Sequence, residues 1–300
     1  WNQKDWEHEA KRMEGVFALA YCTIAATSAV NSKAGFLERN VSSEYIYAQD
    51  ASGRRFYFFM LDPNFPRRLL TSGDQRTVEF IHFLSKDYSK RDLTEETDRC
   101  VAISGLEARI ARSIGCQSRY GIFQQYLHRN LLWQRSNEEK TKRIGYVTQT
   151  VPSWSWMAYD GGIQFMDIPF GDVDWNDKLR FNRKYKHVFN KTGKHALVTD
   201  VGVFRNCSLE QKGIGYAILD SSKTERGWIQ YDIERSEDLY AERCVVVGRK
   251  SHKDRHRLKN YEYCILVVRP TSKDDEYERV GVGLIQSDYV LRQRLNVRVV

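Results

Sequence analysis

The sequence predicts an α+β protein, with a helix and a buried strand first, a helical segment next, and a mostly antiparallel, β-rich half last. Three observations carry this. Apolar residues recur at helical spacing over residues 5–20 and again three times over 77–134. A short uncharged run with β-branched residues follows the first of these stripes. After about residue 150 the spacing changes to alternation, and turn signals multiply.

Along the chain, Trp6, Ala10, Met13, Phe17 and Ala20 fall at spacings of four and three, which makes one face of a helix. Tyr21-Cys22-Thr23-Ile24-Ala25-Ala26 then reads as a buried strand. A helix followed by a buried strand is half of an α/β unit, and the neighbouring strand is expected before Trp1. Residues 1–40 are therefore read as the end of an α/β domain that starts upstream, and the chain as a fragment. Residues 41–150 read as mixed and mainly helical. A strand over 54–61 ends at Asp62-Pro63-Asn64-Phe65-Pro66. Helices follow over 77–90 (Phe80, Ile81, Leu84, Tyr88), 96–111 (Cys100, Ile103, Leu106, Ile110, with Thr94 as N-cap) and 120–134 (Tyr120, Phe123, Leu127, Leu131). The charged stretch 135–143 reads as a solvated loop.

Residues 151–300 read as the β-rich region. Trp154, Trp156 and Ala158 alternate with Ser153, Ser155 and Met157, Asp160-Gly161-Gly162 signals a turn, and Ile163 with Phe165 can return as a second strand. Further strands are expected over 196–204, 215–219, 228–233, 243–247, 261–268 and 279–285, with no helix between them.

Composition narrows the class. The chain has 300 residues, 41% hydrophobic and 29% charged, which suits a folded soluble domain and not a disordered tail. The net charge of +8 is shared evenly by the two halves, so there is no basic arm to mark a nucleic-acid partner. The longest apolar run, 16–30, is interrupted by Thr23, Thr27 and Ser28 and is too short to span a bilayer. The six cysteines are scattered without a CxxC pair, which argues against a zinc ribbon and for reduced thiols in the cytoplasm. No metal site is expected.

Few constellations could carry chemistry. Asp5 and Glu9 lie four apart on the first helix, so their carboxylates share a face at the border of the apolar stripe. Crowding beside apolar surface can raise a carboxyl pKa, whereas a helix-dipole or solvated role is the commoner one. Trp154 and Trp156 could stack on a sugar or a base, although alternation is more often the mark of a core strand. The densest basic stretch, from Arg249 to Lys259 with His252 and His256, could contact phosphates or simply be an exposed loop. Gly213-Ile214-Gly215 and Gly281-Val282-Gly283 lack the rest of a dinucleotide fingerprint.

The first helix and strand, Asp5-Trp6-x-x-Glu9-Ala10-x-x-Met13-x-x-Val16-Phe17-x-x-Ala20-Tyr21-x-Thr23-Ile24-Ala25-Ala26, resemble the closing block of the fungal heterokaryon incompatibility (HET) domain. Later landmarks resemble the same proteins in order. They are Tyr88-Ser89, Leu93-Thr94, Asp98-Arg99-x-x-Ala102-Ile103-x-Gly105, Leu131-Leu132-Trp133, Pro152-Ser153-Trp154-Ser155-Trp156, Asp160-Gly161 and Tyr277-Glu278-Arg279-Val280-Gly281-Val282-Gly283. Among them Trp6, Met13, Asp98, Arg99, Trp133, Pro152, Trp154, Trp156, Asp160 and Gly161 are expected to be structural.

The resemblance implies a cytoplasmic protein of non-self recognition and programmed cell death, acting through protein partners or as a homo-oligomer. It also implies a distant likeness to Toll/interleukin-receptor (TIR) domains, some of which cleave NAD with a helix-borne glutamate. By position Glu9 matches that glutamate, with Asp5 second, and NAD would be the substrate. A carboxylate there could stabilise an oxocarbenium-like ribosyl centre. The family's opening blocks, an Ala-Leu-Ser-Tyr-x-Trp-Gly-like and a Trp-Ile-Asp-x-x-Cys-Ile-x-Gln-like segment, would precede residue 1. NAD hydrolysis therefore belongs to a longer parent and not to these 300 residues. A β-domain binding carbohydrate or nucleic acid through Trp154 and Trp156 is the weaker alternative.

Overall fold

The computed structural model describes residues 9, 12, 47–49, 55–57, 69, 71–91, 93–136, 142–146, 150–182, 195–233, 239–250 and 261–300. The chain divides into two compact units, one of residues 1–73 and 101–114, the other of 74–100 and 115–300. In the first unit, β1 (Tyr47–Gln49) and β2 (Arg55–Tyr57) form an antiparallel pair, with Ala48 opposite Phe56. β2 falls inside the strand expected over 54–61. The expected first helix is represented by Glu9 and Arg12, both helical, and the expected strand over 21–26 lies outside the described residues.

Helix α1 (Gly73–Ser89) opens with Asp74 in its first turn, where the dipole favours an acid, and buries Val78, Phe80, Ile81 and Leu84. Helix α2 (Arg99–Ser113) follows a 3₁₀ turn over Glu96–Asp98. Thr94 is not its cap. Glu95 holds the N-cap position of that turn and offers no side-chain bond. The helix expected over 120–134 is broken into β3 (Ser118–Arg119), β4 (Ile122–Phe123), a 3₁₀ turn and a five-residue α3 (Leu127–Leu131). The cause is local. Tyr120 and Gly121 take positive φ, and Asn130 Oδ1 accepts from the Phe123 amide at 3.1 Å, holding that residue out of the helix. A β-carbon at Gly121 would lie 2.8 Å from Nε1 of Trp156.

Next come β5 (Trp133–Arg135), β6 (Lys142–Arg143), β7 (Tyr159–Asp160) and β8 (Ile163–Phe165). β5 pairs with β8 and β6 with β7. Two expectations are corrected here. Arg135 is not in a solvated loop, because its Nη2 donates to the Ile214 carbonyl and its own carbonyl accepts from Gln230. The Ser153–Ala158 stretch is not an alternating strand. Every residue from Val151 to Tyr159 is buried, and Ser155 Oγ accepts from the Met157 amide to start a 3₁₀ turn. Alternation in polarity there matches small serines packed inside, not a half-exposed strand.

The remaining strands are β9 (Val173–Trp175), β10 (Arg180–Phe181), β11 (Leu197–Phe204), β12 (Ser208–Lys212), β13 (Gly215–Leu219), β14 (Glu225–Tyr231), β15 (Arg243–Lys250), β16 (Glu262–Pro270), β17 (Glu276–Gln286) and β18 (Val290–Val299). They form one ten-stranded sheet, ordered β10-β11-β15-β16-β17-β14-β13-β12, with β9 on β15 and β18 joining β11 and β17. Every pairing is antiparallel except β17 with β18. The pairings β11-β15-β16-β17-β18-β11 close on themselves, which removes two sheet edges. Among the described residues the chain is thus α+β, with three helices and a large, mostly antiparallel sheet. Cys264 to Val268 are all fully buried, so both faces of β16 are covered. On one face Phe204, Ile218, Ile229, Tyr231, Ile265, Val267 and Ile285 pack together.

Candidate functional site

The landmark segments of the sequence meet around Arg279, on β17. Arg279 is 1% exposed, and burying an arginine this deeply requires that its donors be paired. Nε and Nη2 donate to the two oxygens of Asp232 at 2.9 and 3.1 Å, a bidentate pair. Nη1 donates to the Leu131 carbonyl and Nη2 to the Trp133 carbonyl, both at 2.6 Å. The guanidinium also lies over the Trp133 ring, 3.6 Å from its centroid. Burial pushes the Asp232 carboxyl up, against the opposing pull of Arg279. The Arg279 amide donates to Ser153 Oγ at 2.7 Å, and that hydroxyl donates to the Val300 carbonyl. Trp133 Nε1 donates to the Trp154 carbonyl at 3.0 Å. The Arg279 side chain and its amide, with the Trp133 indole, therefore tie together the segments around residues 131–133, 153–154, 232 and 279.

A second buried guanidinium, Arg99, is less fully paired, and its Nε has no partner among the described residues. Arg99 donates to the Ser89 carbonyl at 3.2 Å and to Asp160 Oδ1 at 3.1 Å, joining two more landmarks. Arg99 is buried whereas Asp160 is part exposed. Tyr88 donates its hydroxyl to the Arg99 carbonyl at 2.8 Å and meets Trp156 edge-on. Ser89 Oγ accepts from the Ile163 amide.

The other residues singled out from sequence are placed as follows. Asp98 closes the 3₁₀ turn before α2 and is half-buried. Pro152 is buried, and Gly161 takes φ +106 at the turn after β7. Trp154 and Trp156 are buried at 0% and 1%, so neither indole has an exposed face on which a sugar or base could stack. Gly213 turns the β12–β13 hairpin, and Gly281 and Gly283 lie in β17 opposite β14, so neither glycine pair opens a dinucleotide loop. Glu9 is exposed and ion-paired with Arg12 at 3.0 Å. Asp5, Trp6, Met13, His252 and His256 lie outside the described residues.

Two features escaped the sequence reading. Asp232 has no local mark; it follows a strand and finds its partner 47 residues later. Glu242, fully buried, accepts from the Tyr231 hydroxyl at 2.7 Å and from Arg269 at 3.0 Å. A small pocket of about 170 Å³ opens above the Arg279–Asp232 pair, lined also by Arg143, Tyr159, Arg269 and Glu278. Among the described residues no group of three or more His, Cys, Asp or Glu is placed to hold a metal ion, and no helix is long and apolar enough to cross a membrane. The buried node has the character of a clamp, since each nitrogen of the Arg279 guanidinium donates to a protein acceptor. No protein-family model, curated protein or solved structure matches this chain.

Proposed function

We propose that this chain is the C-terminal portion of a fungal HET-domain protein that acts in non-self recognition and programmed cell death in the cytoplasm, through protein partners. The observation that supports the reading is the convergence of its landmarks. Arg99 meets Asp160, and Leu131, Trp133 and Ser153 meet Arg279, across separations of 61 to 148 residues. Chance matches scattered along a chain have no reason to bond to one another. On this reading residues 1–40 close a TIR-like α/β domain, and the later landmarks build the scaffold that follows it. The test is expression in a filamentous fungus of the chain extended by its upstream coding sequence. Growth arrest, lost in an Arg279→Met variant, is the expected result. Normal growth at equal protein level would remove the reading.

The exposure of Glu9 favours one further reading of the same parent, an NAD glycohydrolase. A carboxylate that serves a ribosyl centre must reach solvent, and the Glu9 side chain is 57% exposed on a helical residue. NAD consumption by the extended protein is compared with that of Glu9→Gln, and equal rates would exclude Glu9.

A further inference from the structure

The pocket above the Arg279–Asp232 pair is supplied with more hydrogen-bond donors than its own acceptors use. Its floor is inert. Asp232 has both oxygens engaged by Arg279, and the Tyr159 hydroxyl is aimed at the Arg279 carbonyl at 3.4 Å. Its rim carries Arg143 on β6, Arg269 on β16 and Glu278 on β17. Glu278 lies opposite Arg269 in the β16–β17 ladder and accepts one bond from Arg143 Nη1 at 3.1 Å. Among the described residues Arg269 makes one side-chain bond, from Nη2 to Glu242 at 3.0 Å. A guanidinium has five donors, so among the described residues most of each rim arginine's fork is left for another acceptor. Both are between a third and a half exposed, open to a ligand and partly shielded from water.

We infer that this pocket binds a phosphate-sized oxyanion, held between the forks of Arg143 and Arg269. The class follows from the chemistry on the rim. Arg143 and Arg269 each give one bond to a carboxylate, Glu278 and Glu242, and the planar forks left over call for an acceptor-rich, multiply oxygenated anion, the geometry that arginine matches best. The size follows from the space. About 170 Å³ is close to the volume that holds a six-membered ring, so it takes a phosphoryl group and a few further atoms but not a dinucleotide. Glu278 is the competing acceptor, and binding requires that it release Arg143.

The probe is inorganic phosphate, titrated against the intact protein at constant ionic strength and followed by ³¹P line broadening and by thermal shift. Saturable binding in the millimolar range is expected. Arg143→Met should weaken it about tenfold, the loss of one bidentate contact. Arg269→Lys, which keeps a cation beside Glu242, should weaken it as well. Glu278→Gln should tighten it, and because that change removes a carboxylate from the surface it serves even where an arginine variant folds poorly. Lys212→Met, on a distant exposed strand, should leave it unchanged. The inference is overturned by no saturation beyond the chloride control, by equal affinity in Arg143→Met, or by binding of malonate with none of phosphate.

Discussion

The guanidinium carbon of Arg279 stands 3.6 Å from the centroid of the Trp133 ring, and Nη2 of the same side chain donates to the Trp133 carbonyl at 2.6 Å. Trp133 is thus both the floor on which the cation rests and one of the acceptors that hold it. Its own indole N–H passes the connection on to Trp154.

Removing Arg279 leaves Asp232 buried without its partner. Arg279→Met is expected to cost about 3–5 kcal/mol, measured by urea unfolding. Most of that cost is the stranded carboxylate and not a lost attraction. The double variant Arg279→Met/Asp232→Leu should therefore be more stable than Arg279→Met alone. A double variant that is the less stable of the two would refute this account of the pair.

His82 gives the fold a defined sensitivity to acid. Its ring stacks on Phe165 at 3.7 Å, and burial, with Lys86 and Arg129 nearby, holds its pKa at about 3, well below the ordinary 6.5 of an imidazole. The folded pKa is below the unfolded one, so between these values the unfolded chain binds the extra proton. The stabilisation is fully present above pH 6.5 and is lost as pH falls toward 3. Between pH 7 and 5 the loss is about 2 kcal/mol for this one group. Unfolding curves for wild type and His82→Phe should diverge in slope over that interval. Parallel curves would show that His82 does not carry the effect.

Most described thiols are placed to be unreactive. Burial pushes Cys244 up to about 12 and Cys207 and Cys264 up to about 11. The thiolate is the nucleophile, so these three should resist alkylation in the native state. Cys116 is only half-buried and should be labelled before them. Mass-spectrometric mapping of timed iodoacetamide labelling at about pH 8 checks the order. Early labelling of Cys244 would mean that β15 opens readily.

Gly283 lies where β17 passes close to β14. A β-carbon there would overlap the Trp228 carbonyl oxygen, and one at Gly281 would sit 2.6 Å from the Gln230 carbonyl oxygen. Strand backbone cannot yield to this without breaking the ladder between Ile229 and Gly283. Gly283→Ala should destabilise by about 2 kcal/mol or more in chemical denaturation. Gly145→Ala, with nothing within 4 Å, should stay within about 0.5 kcal/mol of wild type.

Legibility in the sequence followed how local each signal is. β13 over Gly215–Leu219 and the core of β16 could be read directly, because their apolar runs are bounded by turn residues. β12 was missed since Ser208–Lys212 contains one apolar residue and lies at a sheet edge, where charge is ordinary. β18 is hidden for a different reason: it is paired on both sides, by β11 and β17, but Arg292, Arg294 and Arg298 interrupt its apolar pattern. The helix expected over 120–134 failed because its apolar spacing was right while the positive φ at Tyr120 and the bond from the Phe123 amide to Asn130 were invisible. Several members of the buried node stood among the landmarks, but their partnerships did not. Nothing beside Arg279 says that its acceptors are at 131, 133 and 232. Such pairs exist only once the sheet has formed.

The bonds of Arg279 also bear on how the chain reaches its fold. They span 47, 126, 146 and 148 residues. Closing loops of that length costs entropy before any contact returns it, and topologies dominated by such pairings fold slowly. Until the last of these segments arrives, Arg279 and Asp232 are better solvated by water than buried beside each other. The node therefore acts as a proofreading step in assembly. A partly assembled sheet gains nothing from it and pays the desolvation, and only a chain with all four segments in register can lock it.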